Sequence, residues 1–228
     1  MSKPSTPADP AAQTTETAAL ILLGAGGHAT VLAEILQTGG AALLGLCAPR
    51  PPEPGLLDAL DYLGGDEVIE QRTPGDIQLV NGLGSIASTT ARAALFHRLR
   101  AAGYRFAAVC HPTAVVSPSA QTGEGLQALA GSLISSEARL GANVLVNSRA
   151  VVEHHCEIGD HVHVASGAIL CGGCRLGAGV HVGAGAVVRQ GLQIGAGAVV
   201  AAGAVVIDEV PPRSLVAGVP ARIKREGR

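Results

Sequence analysis

Four imidazoles fall within ten residues of the string VVEHHCEIGDHVH (residues 151–163), together with three carboxylates and a thiol. An imidazole titrates near pH 6.5, so it can take a proton from an attacking nucleophile at neutral pH, and it is also a common metal ligand. His154 is the candidate general base, and His155 or Glu153 beside it could orient the ring. With His161, His163 and His181 the same histidines admit a metal reading. A second group, Gly24-Ala25-Gly26-Gly27-His28, sits between an apolar run and an amphipathic one, where backbone N–H groups at a helix start can hold phosphate. The dinucleotide fingerprint would want a third glycine where Ala29 stands. A third group, Cys171-Gly-Gly-Cys174, suggests zinc by its spacing, but four converging ligands are not offered, and packed reduced thiols are the better account.

The elements that must position these residues come in two kinds. From Ala18 to Cys110 the chain alternates strand and helix. AALILLG reads as a buried strand, GGHATVLAEILQTGG as a helix closed by glycines, DIQLVNGLG as a strand, TTARAALFHRLRAAG as a helix ended by Gly103, and YRFAAVC as a strand. This pattern predicts a small parallel α/β sheet.

After His111-Pro112 aliphatic residues recur every sixth position, from Leu140, Val146 and Val152 through Val200 and Val206, without a miss. Two residues before each stands a small or apolar residue, so both columns should point inward. Glycines at 141, 159, 177 and 195 add a period of eighteen, so three hexads make one turn of a three-sided parallel β-helix. Neither an α-helix nor a hairpin sheet yields six and eighteen together. Weaker hits at Val116 and Ile134 predict that the coil begins near Val115, and Pro211-Pro212 predicts its end. His154, two positions after the inward Val152, should project from a corner. Cys174 should stack inward on Cys156 while Cys171 faces out. His163 and His181 should share one column, and Ser166, Ala184 and Ala202 another lane of small residues.

Expected boundaries are therefore a disordered tail at 1–18, an α/β domain at 19–110, the β-helix at 111–210 and a C-terminal tail at 211–228. Two Phe, two Tyr and no Trp leave packing to small aliphatic side chains. Sixteen basic against eighteen acidic residues give no overall pull toward nucleic acid or a membrane surface, and no run has the length of a membrane span. Five cysteines without a secretory signal fit a reducing cytoplasm.

The segments LLGAGGHATVLAEIL, HPTAVVSPSA, NSRAVVEHHCEIGDHVHVASGAIL and VAGVPARI, in that order over residues 19–225, resemble the bacterial sugar acetyltransferases of the left-handed β-helix, hexapeptide-repeat superfamily. The nearest group holds the nucleotide-amino-sugar N-acetyltransferases and the sialic-acid O-acetyltransferases. The resemblance implies a Rossmann-like nucleotide-sugar domain followed by a left-handed β-helix, a homotrimer, and acetyl-CoA as co-substrate with no metal. It places His154 as the base, Gly26, Gly27, His28 and Gly64 at the nucleotide sugar, and Asn147 near the acceptor amine. His163, Gly172, Ala184 and Ala202 would contact acetyl-CoA.

Two departures stand out. Several relatives carry an acid where this chain has His155, and many have acidic residues where this chain has GLCAPR, with Arg50 an unassigned phosphate candidate. The expected reaction is N-acetylation of the 4-amino group of a UDP- or GDP-linked amino-dideoxy sugar. O-acetylation of a sialic-acid-like sugar is the alternative, and a γ-carbonic-anhydrase-like metalloenzyme is a more remote one.

Overall fold

The computed structural model describes residues 19–226, so the segment 1–18 expected to be a disordered tail lies outside the described residues. Strands β1 (Ala19–Leu23), β2 (Leu43–Cys47), β3 (Tyr62–Gly64), β4 (Ile77–Asn81) and β5 (Arg105–Phe106) form one parallel sheet in the order β3-β2-β1-β4-β5. Helix α1 (Gly27–Thr38) buries Ala29, Leu32, Ala33 and Leu36, the spacing of one helical face, and ends at Gly39 and at Gly40 with φ +69°. Because β1 leads outward to β2 on one side and β4 continues on the other, the order reverses at β1, and the loops after β1 and β4 flank a crevice. Such a switch point is where open α/β sheets bind ligands.

The rest of the chain winds into a three-sided prism of parallel two-residue strands. The first face stacks Val109–Cys110, Gln127–Ala128, Leu145–Val146, His163–Val164, His181–Val182 and Val199–Val200. The second runs from Val115–Val116 to Val205–Val206, and the third from Gln121–Thr122 to Gln193–Ile194. Each strand pairs with the one eighteen residues on, as in Val146↔Val164 and Val164↔Val182. None of the twelve periodic aliphatics from Leu140 to Val206 is more than 5% exposed, and their small partners from Ala138 to Ala204 are buried with them.

Corners repeat as strictly as faces. Every sixth residue from Gly125 to Gly203 has a positive φ, and five of these, Glu137, Asn143, Arg149, His155 and His161, are not glycine.

Three expectations need correction. YRFAAVC is two strands, not one: Arg105–Phe106 completes the α/β sheet, while Val109–Cys110 pairs with Gln127–Ala128 and opens the coil. The prism therefore begins before Val115, because Cys110 lies six residues ahead of Val116 and is already in phase. At the other end Val210 still bridges to Ile194, and Leu215–Ala217 adds to the first face before Arg222–Arg225 doubles back on it. Two prolines interrupt the ladder without ending the stack. Among the described residues no helix is long and apolar enough to cross a membrane.

Candidate active site

The α/β domain sits on the first face of the prism, and its outward column is buried there: Gln127 is 1%, Leu145 0%, His163 5% and His181 8% exposed. A cleft of about 950 Å³ opens between them. It is lined by the loop Gly24–Gly27 with His28, by Gly82–Ile86 after β4, and by Leu129, Leu145, Asn147 and His163 of the prism. The crevice of the α/β sheet and the wall of the coil are thus one cavity. Among the described residues no side chain caps the N-terminus of α1 at Gly26, so the first-turn N–H groups are left to this space. Gly82 permits the close approach of the two loops, since a Cβ there would meet Ala29 Cβ at 3.0 Å.

Hydrogen bonds define the protonation of the cleft's imidazoles. His28 Nε2 donates to Gln127 Oε1 at 2.8 Å, and Gln127 Nε2 donates to the Asn81 carbonyl at 2.8 Å. Burial and the nearby Arg92 guanidinium hold the His28 pKa down at about 4. Burial first, then the charges of His181, Arg92 and His28, hold His163 at about 3, so both rings are neutral at physiological pH. Asn147 Oδ1 accepts from Ser148 N–H at 2.7 Å, which leaves its Nδ2 to donate to His163 Nε2 at 3.2 Å. His163 Nδ1–H then donates to Ser85 Oγ at 2.6 Å, and the Ser85 hydroxyl proton is free for the cleft. Beneath the loop, Arg92 is 1% exposed and donates from Nη1 to the carbonyls of Asn81 and Leu83. Burial lowers its pKa to about 9.

His154 lies elsewhere. It is exposed at the vertex between the second and third faces, opposite the first face, and its Nδ1 meets His155 Nδ1 at 2.9 Å. His155 Nε2 is 3.2 Å from Glu137 Oε2 in the preceding turn. Glu153 makes no hydrogen bond to either ring among the described residues, and its charge helps to raise the Cys171 thiol behind burial and Cys174. Gly172 lies one turn from His154, close against its ring.

The chain matches the family model described as bacterial transferase hexapeptide (six repeats) over residues 137–172. No curated protein sequence matches it. Among solved structures, the acetyltransferase domain of PglB from Neisseria gonorrhoeae is 30% identical, with TM-score 0.81, covering 90% of this chain and 99% of that one. A histidine-to-asparagine variant of perosamine N-acetyltransferase from Caulobacter crescentus, solved with CoA and GDP-perosamine, is 31% identical with TM-score 0.83, covering 91% and 97%. The chain belongs to the bacterial sugar acetyltransferases of the left-handed β-helix superfamily. WeeI from Acinetobacter baumannii is similar at 26% identity and TM-score 0.74, covering 90% of this chain and 99% of that one.

In this sugar acetyltransferase the residues singled out from sequence divide into two groups. Gly26, Gly27, His28, Asn147 and His163 share the cleft. Gly64 lies outside its lining and accepts from Ala48 N–H at 2.9 Å, while Asp66 nearby does reach the cleft. Arg50 is exposed and also outside it. Ala184 and Ala202 are exposed in stacked turns at the vertex between first and second faces, whereas Gly172 is with His154 at the next vertex. Of the four residues expected at acetyl-CoA, Ala184 and Ala202 therefore stand on one side of the second face and Gly172 on the other, while His163 lies on the first face in the cleft. Cys174 and Cys156 are buried inward. The five histidines of the metal reading separate onto three parts of the prism, and among the described residues no group of three or more His, Cys, Asp or Glu is arranged to hold a metal ion. Ser85, Gln127 and Glu137 were not anticipated. Glu137 had a signal, since it stands eighteen residues before His155.

Proposed function

We propose that the protein transfers acetyl from acetyl-CoA to the 4-amino group of a UDP- or GDP-linked amino-dideoxy sugar, with His154 as general base. The observation that carries this reading is the continuity of the cleft: a phosphate-suited helix start and an acyl-transfer scaffold open into one cavity, lined by Gly26, Gly27 and His28 at one end and Asn147 and His163 at the other. The diphosphate would sit at the α1 N-terminus and the amino sugar toward Asn147. The relative that binds GDP-perosamine and CoA supports this class of substrate.

In the reaction the sugar nitrogen's lone pair attacks the thioester carbon, and His154 Nε2 takes the proton the nitrogen loses. The C–S bond breaks, and the proton passes to the departing sulfur, giving the amide and CoA thiol. Exposed Ala184 and Ala202, with Gly185 and Gly203 beside them, offer a lane without long side chains along which a pantetheine arm can meet backbone groups.

A vertex opposite the first face cannot reach the cleft of its own chain. The second face between the two groups is apolar on its outside, with Val115 58% and Ile169 37% exposed. In a closed ring of copies packed through this face, the first–second vertex of one copy meets the second–third vertex of the next. That contact would bring Asn147, His163, Ala184 and Ala202 to His154 of the partner subunit. A homotrimer fits this arrangement.

The test follows CoA thiol release with acetyl-CoA and UDP- or GDP-linked 4-amino sugars beside sialic-acid-type hydroxyl sugars. Release with the amino sugars, abolished by His154→Asn, is expected. Release only with hydroxyl sugars would replace this reading by O-acetylation.

A further inference from the structure

An acid directly beside the candidate base would supply a fixed negative charge, and here an imidazole, His155, occupies that place. We infer that Glu137 is the missing carboxylate, acting on His154 from one turn away through His155 as a positioning residue. The inference rests on the reading of His154 as the base.

The bonding pattern admits one arrangement of protons among neutral rings. An ionised carboxylate only accepts, so the 3.2 Å contact with Glu137 Oε2 places the proton of His155 on Nε2. His155 Nδ1 then holds a lone pair and must accept across the 2.9 Å contact from His154 Nδ1–H. The remaining nitrogen of His154, Nε2, carries the free lone pair, and it lies close over Gly172, which has no side chain of its own to meet it. Glu137 thus selects the tautomer in which His154 can act as a base. Once Nε2 has taken the sugar's proton, the imidazolium still donates from Nδ1 to His155, and His155 still donates to a negative charge. No proton need leave the relay.

The backbone supports the same conclusion. Glu137 and His155 occupy the left-handed corner position of successive turns at one vertex, with φ +58° and +57°. The next two turns of that vertex have Gly173 and Gly191 there. A side chain in this conformation costs roughly 1–2 kcal/mol relative to an unstrained residue. At this vertex the base's own turn and the one before it carry this strain, as Asn143, Arg149 and His161 do at other corners, and here the two strained side chains are bonded to each other. The corners are held by His155 N–H donating to the Ser136 carbonyl at 3.1 Å and Glu137 N–H donating to Ser119 Oγ at 3.1 Å. Of the other nearby carboxylates, Glu157 is engaged with Arg175 at 3.6 Å, and Glu153 bonds neither ring.

The experiment is a kinetic cycle on the full-length protein with acetyl-CoA and the amino-sugar acceptor, comparing His154→Asn, Glu137→Leu, His155→Ala, the double variant Glu137→Leu/His155→Ala, and His155→Glu. Glu137→Leu and His155→Ala are each expected to lower kcat by about 10- to 100-fold, less than the roughly 100- to 10,000-fold contributed by a general base itself, with KM for both substrates changed less than about twofold. The double variant should lose no more than His155→Ala alone, since both remove one relay. His155→Glu, which sets a carboxylate directly against His154 Nδ1, should restore kcat to within about fivefold of the parent. Multiplying losses in the double variant, an unchanged kcat in Glu137→Leu, or an effect confined to KM would overturn the relay. If His154→Asn keeps its turnover, the base assignment itself falls. If His154→Asn is inactive while Glu137→Leu is fully active, the base stands and only the relay fails.

Discussion

A Cβ on Gly172 would stand 2.6 Å from both Cε1 and Nε2 of His154, so the imidazole rests directly on the backbone of the following turn. The glycine creates the space in which the candidate base lies. Replacing it with alanine should turn the ring off this surface and lower kcat at least about tenfold, because a base misplaced by an ångström loses its near-attack geometry. Gly172 has an ordinary backbone conformation, so the thermal midpoint should move little. Steady-state kinetics beside a thermal melt would check this, and a fully active Gly172→Ala enzyme would show that the ring works from another position.

Acid should destabilise the protein through the cleft. His28 and His163 are neutral in the fold, with pKa values held at about 4 and about 3, whereas in the unfolded chain each binds a proton near pH 6.5. Below pH 6.5 the unfolded state therefore holds more protons, and stability falls as the pH drops toward 4. For His28 alone the loss approaches about 3 kcal/mol. Urea unfolding between pH 7 and 4 should show this decline, and a His28→Gln variant should show a shallower one.

The apolar outer column of the second face predicts assembly. Ile169→Glu places a charge amid Val151 and Val187, which pair with it in the ladder. The variant should fall to monomer mass in light scattering and lose more than about tenfold in turnover, while its circular dichroism stays that of the parent. An Ile169→Glu protein that remains assembled and active would place the contact between copies on another face.

Asn143 separates side-chain bonding from backbone strain. It is fully buried, accepts from Asn81 Nδ2 at 3.2 Å, donates to His161 Nδ1 at 3.0 Å, and has φ +56°. Asn143→Ala should destabilise by about 2–4 kcal/mol through unpaired buried partners and a strained backbone. Asn143→Gly loses the same bonds but relaxes the backbone, so it should cost about 1 kcal/mol less. Chemical denaturation of both variants would show the order, and equal losses would remove the strain contribution.

The prism was legible because its determinants are local and periodic. Val146, Val164 and Val182 announce the stack by spacing alone, and a six-residue repeat buried on every side leaves no other solution. His154 was visible as a corner residue for the same reason, and the eighteen-residue period also pairs Glu137 with His155 once corners are compared rather than cores. Which vertex faces which surface was decided only in three dimensions. The α/β domain covers the first face because Gln127 answers His28 and Asn81, and Asn143 answers Asn81, across 99, 46 and 62 residues of chain. That docking puts His163 in the cleft and leaves His154 on the far vertex. Periodicity determines which residues stack in one column. Contacts between residues distant in the chain, which no local spacing records, determine what each column meets.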